Sequence, residues 1–168
     1  MRLRLPLLAC VALGLVCTAV ATASLPSRFN KAQWSAYLKS YNAYATQTPK
    51  TVARFRFCRS ATKYNRNLSL FGQCLGLTPT REIAVTNTLF NTLHGLSGKT
   101  GGKCAKALSP YAGAVFFWKS SVVGVDRAVK LKTASVATVE GQAANAVLSA
   151  QRVATDATAF VKACKPLA

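Results

Sequence analysis

Acidic side chains are almost missing from this chain: Asp and Glu together number 4, against 22 Lys and Arg in 168 residues. The four, Glu82, Asp126, Glu140 and Asp156, are widely spaced. A calcium site draws on about six to eight oxygen ligands, and glycosidase-type hydrolysis on two converging carboxylates, so neither chemistry is expected. Histidine occurs once, as His94, which excludes a multi-histidine zinc site. As a haem ligand His94 is a poorer reading than as a cap at a helix end. No cysteine pair has the two-residue spacing of a redox or zinc motif. No metal, no cofactor and no enzymatic machinery are therefore expected.

Long apolar runs are also missing, except at the start. Arg2 and Arg4 precede an apolar stretch from Leu5 to Val20, followed by the small residues Ala21 and Ala23. This is the order of a secretory signal, with cleavage expected after Ala23. The stretch is short for a bilayer span of roughly 20 residues. Leu7-Leu8-Ala9-Cys10 imitates a lipid-attachment box, but most of the apolar run follows Cys10. Loss of residues 1–23 would leave a single domain over residues 24–168 and lower the formal charge from +18 to +16, since Arg2 and Arg4 go. It would also remove Cys10 and Cys17 from the six cysteines, leaving Cys58, Cys74, Cys104 and Cys164. An even set in an exported protein, extracellular or periplasmic, implies disulfides. Of the possible pairings, Cys58 with Cys74 and Cys104 with Cys164 are favoured, because each pair brackets a plausible helical hairpin. Loops of those lengths would contribute roughly 3 and 4 kcal/mol in the chain-entropy account.

The apolar spacing is helical throughout. Trp34, Tyr37, Leu38, Tyr41 and Tyr44 mark an amphipathic helix from Ser27 to Gln47. Thr48-Pro49 predicts a second helix to about Asn65, although Arg54-Phe55-Arg56-Phe57 also fits strand alternation. Asn67 to Gly76 is a turn-rich link that contains a glycosylation acceptor at Asn67-Leu68-Ser69. Thr78-Pro79 predicts a third helix to His94 with Ile83, Asn87, Phe90 and Leu93 on one face, then a glycine-rich loop from Gly95 to Gly102. After a turn at Cys104 to Leu108, Ser109-Pro110 predicts a helix to Lys132 whose first half, Tyr111 to Trp118, should be the most buried part of the protein. In the last helix Val136, Val139, Ala143, Ala146, Ala150, Val153, Ala157, Phe160 and Cys164 recur at steps of three and four. That heptad seam, rich in small residues, predicts close packing on the preceding helix. The expected fold is all-α: a disulfide-stapled bundle of four to five helices ending in a long antiparallel helical hairpin.

Positive charge dominates what remains, and it draws anions from solution. The densest run, Arg54, Arg56, Arg59, Lys63 and Arg66, is the candidate anion-binding site. The planar arginine fork pairs well with phosphate or sulfate, and a bound anion would relieve repulsion between like charges three and four residues apart. Arg127, Lys130 and Lys132 form a second group, where a helix C-terminus already favours cations. Lys99, Lys103 and Lys106 form a third; Gly98-Lys99-Thr100 is not a nucleotide-binding loop, because its first glycine would fall at Leu93. The row Trp34, Tyr37, Tyr41, Tyr44 could stack bases or sugars, but its spacing is that of a core seam, and Phe116, Phe117 and Trp118 are expected in the core as well. The expected function is a secreted, non-enzymatic binder of an anionic polymer or anionic membrane surface, nucleic acid included. The alternative is a helical carrier enclosing an apolar ligand such as a lipid or haem.

Overall fold

A computed structural model describes residues 25–167 except residue 133; the expected signal segment, with Cys10 and Cys17, lies outside them. The described residues contain no strand. Five helices follow in order: α1 Lys31–Ser60, α2 Leu68–Leu75, α3 Thr78–Leu96, α4 Gly102–Leu131 and α5 Val136–Cys164. Both favoured disulfides form, Cys58–Cys74 and Cys104–Cys164. None of these helices is long and apolar enough to cross a membrane.

The final hairpin follows its heptad seam. Val139, Ala143, Ala146, Ala150, Val153, Ala157, Phe160 and Cys164 are all buried, facing Tyr111, Val115, Trp118, Val122 and Val125 of α4. Alanine at the seam lets the two helices approach closely, and theirs is the most extensive packing in the bundle. α1 and α3 lie against this hairpin, and the core runs along the axis through Tyr37, Phe55, Trp118, Tyr111 and Phe160, none of them exposed. The aromatic row of α1 is a core seam: Tyr37 and Tyr44 are buried, Trp34 and Tyr41 half-buried.

Several expected boundaries are corrected. The break at Thr48-Pro49 does not exist, since α1 passes through Pro49, and the strand reading of Arg54 to Phe57 falls with it. An interior proline removes one helical hydrogen bond and crowds the preceding turn, a cost of about 3 kcal/mol. Tertiary bonds next to it offset that cost, because the Thr48 and Thr51 hydroxyls on either side both donate to Glu82 of α3, at 2.7 and 2.8 Å. The Asn67–Gly76 link is largely helical: Asn67 caps α2 by accepting from the Leu70 N–H at 2.9 Å, and Phe71, Cys74 and Leu75 are buried. Gly72 is needed there, since a Cβ would lie 2.6 Å from Cγ1 of Val129 on α4. α4 begins at Gly102, not at Ser109-Pro110, and carries Pro110 inside. Cys104, Leu108 and Tyr111 bury on both sides of Pro110, so packing again overrides the local signal.

Two faces are also rotated from expectation. The buried seam of α3 is Pro79, Glu82, Thr86, Leu89, Leu93 and Leu96; Asn87 is exposed, and Ile83 and Phe90 only half-buried. The stretch from Tyr111 to Trp118 is not buried all round, for Phe116 and Phe117 are 45% and 59% exposed.

Candidate anion-binding surfaces

The chain path gathers most of the cations at two ends of the bundle and leaves Lys39, Lys50, Lys119 and Arg152 between them. α1 ends at Ser60, with Ala61 as its cap, so the predicted run is split between a helix end and a turn. Arg54, Arg56 and Arg59 are exposed on the last turns of α1, flanking the buried Phe55 and Cys58; Lys63 and Arg66 are exposed on the turn that follows. The intervening aromatics are placed among the charges. Phe57, 51% exposed, lies with its ring 6.0 Å from Tyr64, and the Lys63 ammonium sits 5.4 Å from the Tyr64 ring centre. The Cys58–Cys74 bridge ties this turn to α2, and Gly72 ties α2 to Val129 near the end of α4. Arg127, Lys130 and Lys132 therefore come to the same end of the bundle, as does exposed Arg81 at the start of α3. Lys130 is paired with Asp126 at 2.8 Å. The opposite terminus of α4 lies about 45 Å away, at a rise of about 1.5 Å per residue over its 30 residues.

At that far end an extended strap crosses the bundle. The Phe29 N–H donates to the Cys164 carbonyl at 3.1 Å, the Gly101 N–H donates to the Pro26 carbonyl at 2.9 Å, and Arg28 Nη1 donates to the Lys165 carbonyl at 2.8 Å. Phe29 is buried, with its ring 5.8 Å from Phe160. These contacts, with Cys104–Cys164, gather the start of α1, the α3–α4 loop, the start of α4 and the end of α5. Lys31, Lys99, Lys103, Lys106, Lys162 and Lys165, one or more from each, are all exposed there. No acidic side chain joins them among the described residues: Asp156, the nearest acid along α5, lies eight residues before Cys164 and is paired with Arg152 at 3.9 Å.

The molecule thus has an arginine-rich pole and a lysine-rich pole. Sequence reading singled out Lys99, Lys103 and Lys106 but not Lys31, Lys162 or Lys165, whose neighbourhood depends on the strap and the second disulfide. No family model, curated protein or solved structure matches this chain. An exposed lysine or arginine offers donors only, and an array of them with few acids to compete attracts phosphate-bearing chains through charge and counterion release.

The waist between the poles differs in character. An open cleft of about 520 Å³ between α1 and α3 is lined by Ala36, Ser40, Ala43, Ala84, Val85 and Thr88, with Lys39 its one charged residue. Elsewhere between α1 and α3 the carboxylate of Glu82 is fully buried, with no cation in contact among the described residues. Its Oε1 accepts from Thr48 Oγ1 at 2.7 Å, Thr86 Oγ1 at 3.0 Å and Trp118 Nε1 at 2.6 Å, and its Oε2 accepts from Thr51 Oγ1 at 2.8 Å. The few-acid reading of the sequence gave Glu82 no such role. Three tyrosines, Tyr37, Tyr44 and Tyr111, are buried in the core. Burial pushes the Tyr37 hydroxyl up to about 12, and burial also raises Tyr44 and Tyr111.

Proposed function

We propose that this is an exported, non-enzymatic protein that binds a phosphate-bearing anionic polymer through its exposed basic poles, with Arg54, Arg56, Arg59, Lys63 and Arg66 forming part of the arginine pole. The observation that carries the reading is the lysine pole, an exposed array with no acidic side chain beside it among the described residues. A protein selected only for solubility would intersperse both signs. Export accords with the two disulfides, which persist in oxidising compartments.

Binding to a fluorescent DNA duplex, a phosphodiester chain of known charge, tests this by anisotropy across salt. If about four phosphates are neutralised, affinity falls roughly 100-fold between 50 and 200 mM salt. Charge reversal at Arg56 and Arg59 weakens it further at each salt concentration. Affinity indifferent to salt overturns the proposal. Tighter binding to anionic vesicles than to duplex at equal phosphate shifts the partner to a membrane surface.

A further inference from the structure

We infer that the protein is bivalent and joins two separate anionic chains, one at each pole. This rests on the polymer-binding reading above and adds to it a geometry with its own consequences. The nearest cations of the two poles along α4, Lys106 and Arg127, lie about 32 Å apart, while charge interactions in water are screened over about 8 Å at physiological salt. An anion held at one pole therefore leaves the attraction of the other undiminished. The waist between them is more sparsely charged, with Lys39 and Lys50 on α1, Lys119 on α4, where it donates to Asn87 Oδ1 at 3.0 Å, and Arg152 on α5. Along α5 the cation Arg152 is paired with Asp156, and the α1–α3 cleft is lined mainly by alanine, valine and threonine.

The poles also differ in chemistry. Arg59, Arg66, Arg81 and Arg127 present planar forks suited to paired bonds with phosphate oxygens, and Lys63 is held against an aromatic ring. The opposite pole presents lysine ammonium groups, which act as point charges and place fewer demands on geometry. Each pole is fixed to the rigid bundle by its own disulfide, Cys58–Cys74 at one and Cys104–Cys164 at the other. Two chains bound at once are thus held at a set spacing rather than on flexible tethers.

The test uses a hairpin duplex of about 7 base pairs, roughly 24 Å long, too short to reach from Lys106 to Arg127, the nearest cations of the two poles along α4. Equal amounts labelled with donor and acceptor dyes are mixed with the full protein at low salt. Energy transfer is expected at a ratio of one protein to two duplexes and should fade when either component is in large excess. Neutralising the arginine pole (Arg59→Gln, Arg66→Gln, Arg81→Gln, Arg127→Gln) or the lysine pole (Lys99→Gln, Lys103→Gln, Lys106→Gln, Lys165→Gln) should abolish transfer. Each variant should still bind one duplex by anisotropy, with the helical circular dichroism of the parent. Binding without energy transfer in the parent protein overturns bivalency while leaving the polymer reading intact. Transfer that survives in either variant overturns it too, since one pole, or a self-associated protein, would then suffice. Absence of salt-sensitive binding removes the polymer reading itself.

Discussion

Glu82 is the residue whose environment is most specialised. It sits on the buried seam of α3 and receives four hydrogen bonds from α1, α4 and its own helix, all from neutral donors. Each donor in this shell is a hydroxyl or indole N–H, so both carboxylate oxygens find partners without a cation. Glu82→Gln keeps an acceptor for the fixed Trp118 N–H, while Thr51 can rotate to accept from the new amide; the expected loss is about 1 to 2 kcal/mol. Glu82→Ala leaves the indole and three hydroxyls facing a cavity and should cost about 4 kcal/mol. Urea unfolding followed by circular dichroism ranks the two, and equal stability of both variants with the parent would refute the account. Sequence gave no sign of this shell, because its donors are threonines and a tryptophan separated by up to 36 positions from Glu82. A search for apolar periodicity passes over a seam whose members are Glu82 and Thr86, which is why the predicted face of α3 is rotated.

The buried tyrosines make a second prediction at the same scale. Unfolded, Tyr37 loses its proton near 10.0, and folded it does so at about 12. Between those values the folded state keeps a proton that the unfolded state has released, so stability is complete below pH 10 and declines as pH rises towards 12. Burial moves Tyr44 and Tyr111 in the same direction. Each contributes a slope of about 1.4 kcal/mol per pH unit. Thermal unfolding measured from pH 8 to 11.5 should show melting temperature dropping beyond pH 10, and Tyr37→Phe should flatten part of that drop. A melting temperature constant through pH 11.5 would contradict the burial argument.

At the scale of elements, one local signature occurs at three places with different outcomes. Thr48-Pro49, Thr78-Pro79 and Ser109-Pro110 all resemble a cap followed by the first turn of a helix, yet only Thr78-Pro79 starts one. A proline is tolerated in a helix interior when burial on both sides exceeds its local cost. Around Pro49 the compensation comes from Thr48 and Thr51, and around Pro110 from Leu108, Tyr111 and the bridged Cys104. None of that is local information. α2 escapes notice for a related reason: its 8 residues are too short to display a period and include Gly72, which reads as a turn until Val129 is seen to require it. The α5 seam was legible because it repeats over 29 residues, and the disulfide pairing was legible because each bridge closes a pair of neighbouring segments.

At the scale of the whole molecule, net charge was readable at once, whereas its division between two ends required the fold. Lys31, Lys103 and Lys165 become neighbours only because residues 25–30 cross the bundle and the last disulfide closes. Crowding like charges at the poles opposes folding, and the few ion pairs described, Lys130–Asp126 and Arg152–Asp156, are exposed pairs worth little. Screening should therefore stabilise the protein: melting temperature is expected to rise when sodium chloride increases from 10 to 300 mM, a range over which the screening length falls from about 30 Å to about 6 Å. Generic screening and site-like binding separate at constant ionic strength. Chloride relieves repulsion only by screening, whereas a multivalent phosphate that occupies a pole adds about 2.7 kcal/mol once its concentration reaches a hundred times its dissociation constant. Replacing chloride by pyrophosphate at fixed ionic strength should raise the melting temperature further, and neutralising one pole should remove part of that extra rise. If the two salts act identically, the poles repel but do not bind, and the charge distribution would be a burden on stability with no anion to relieve it.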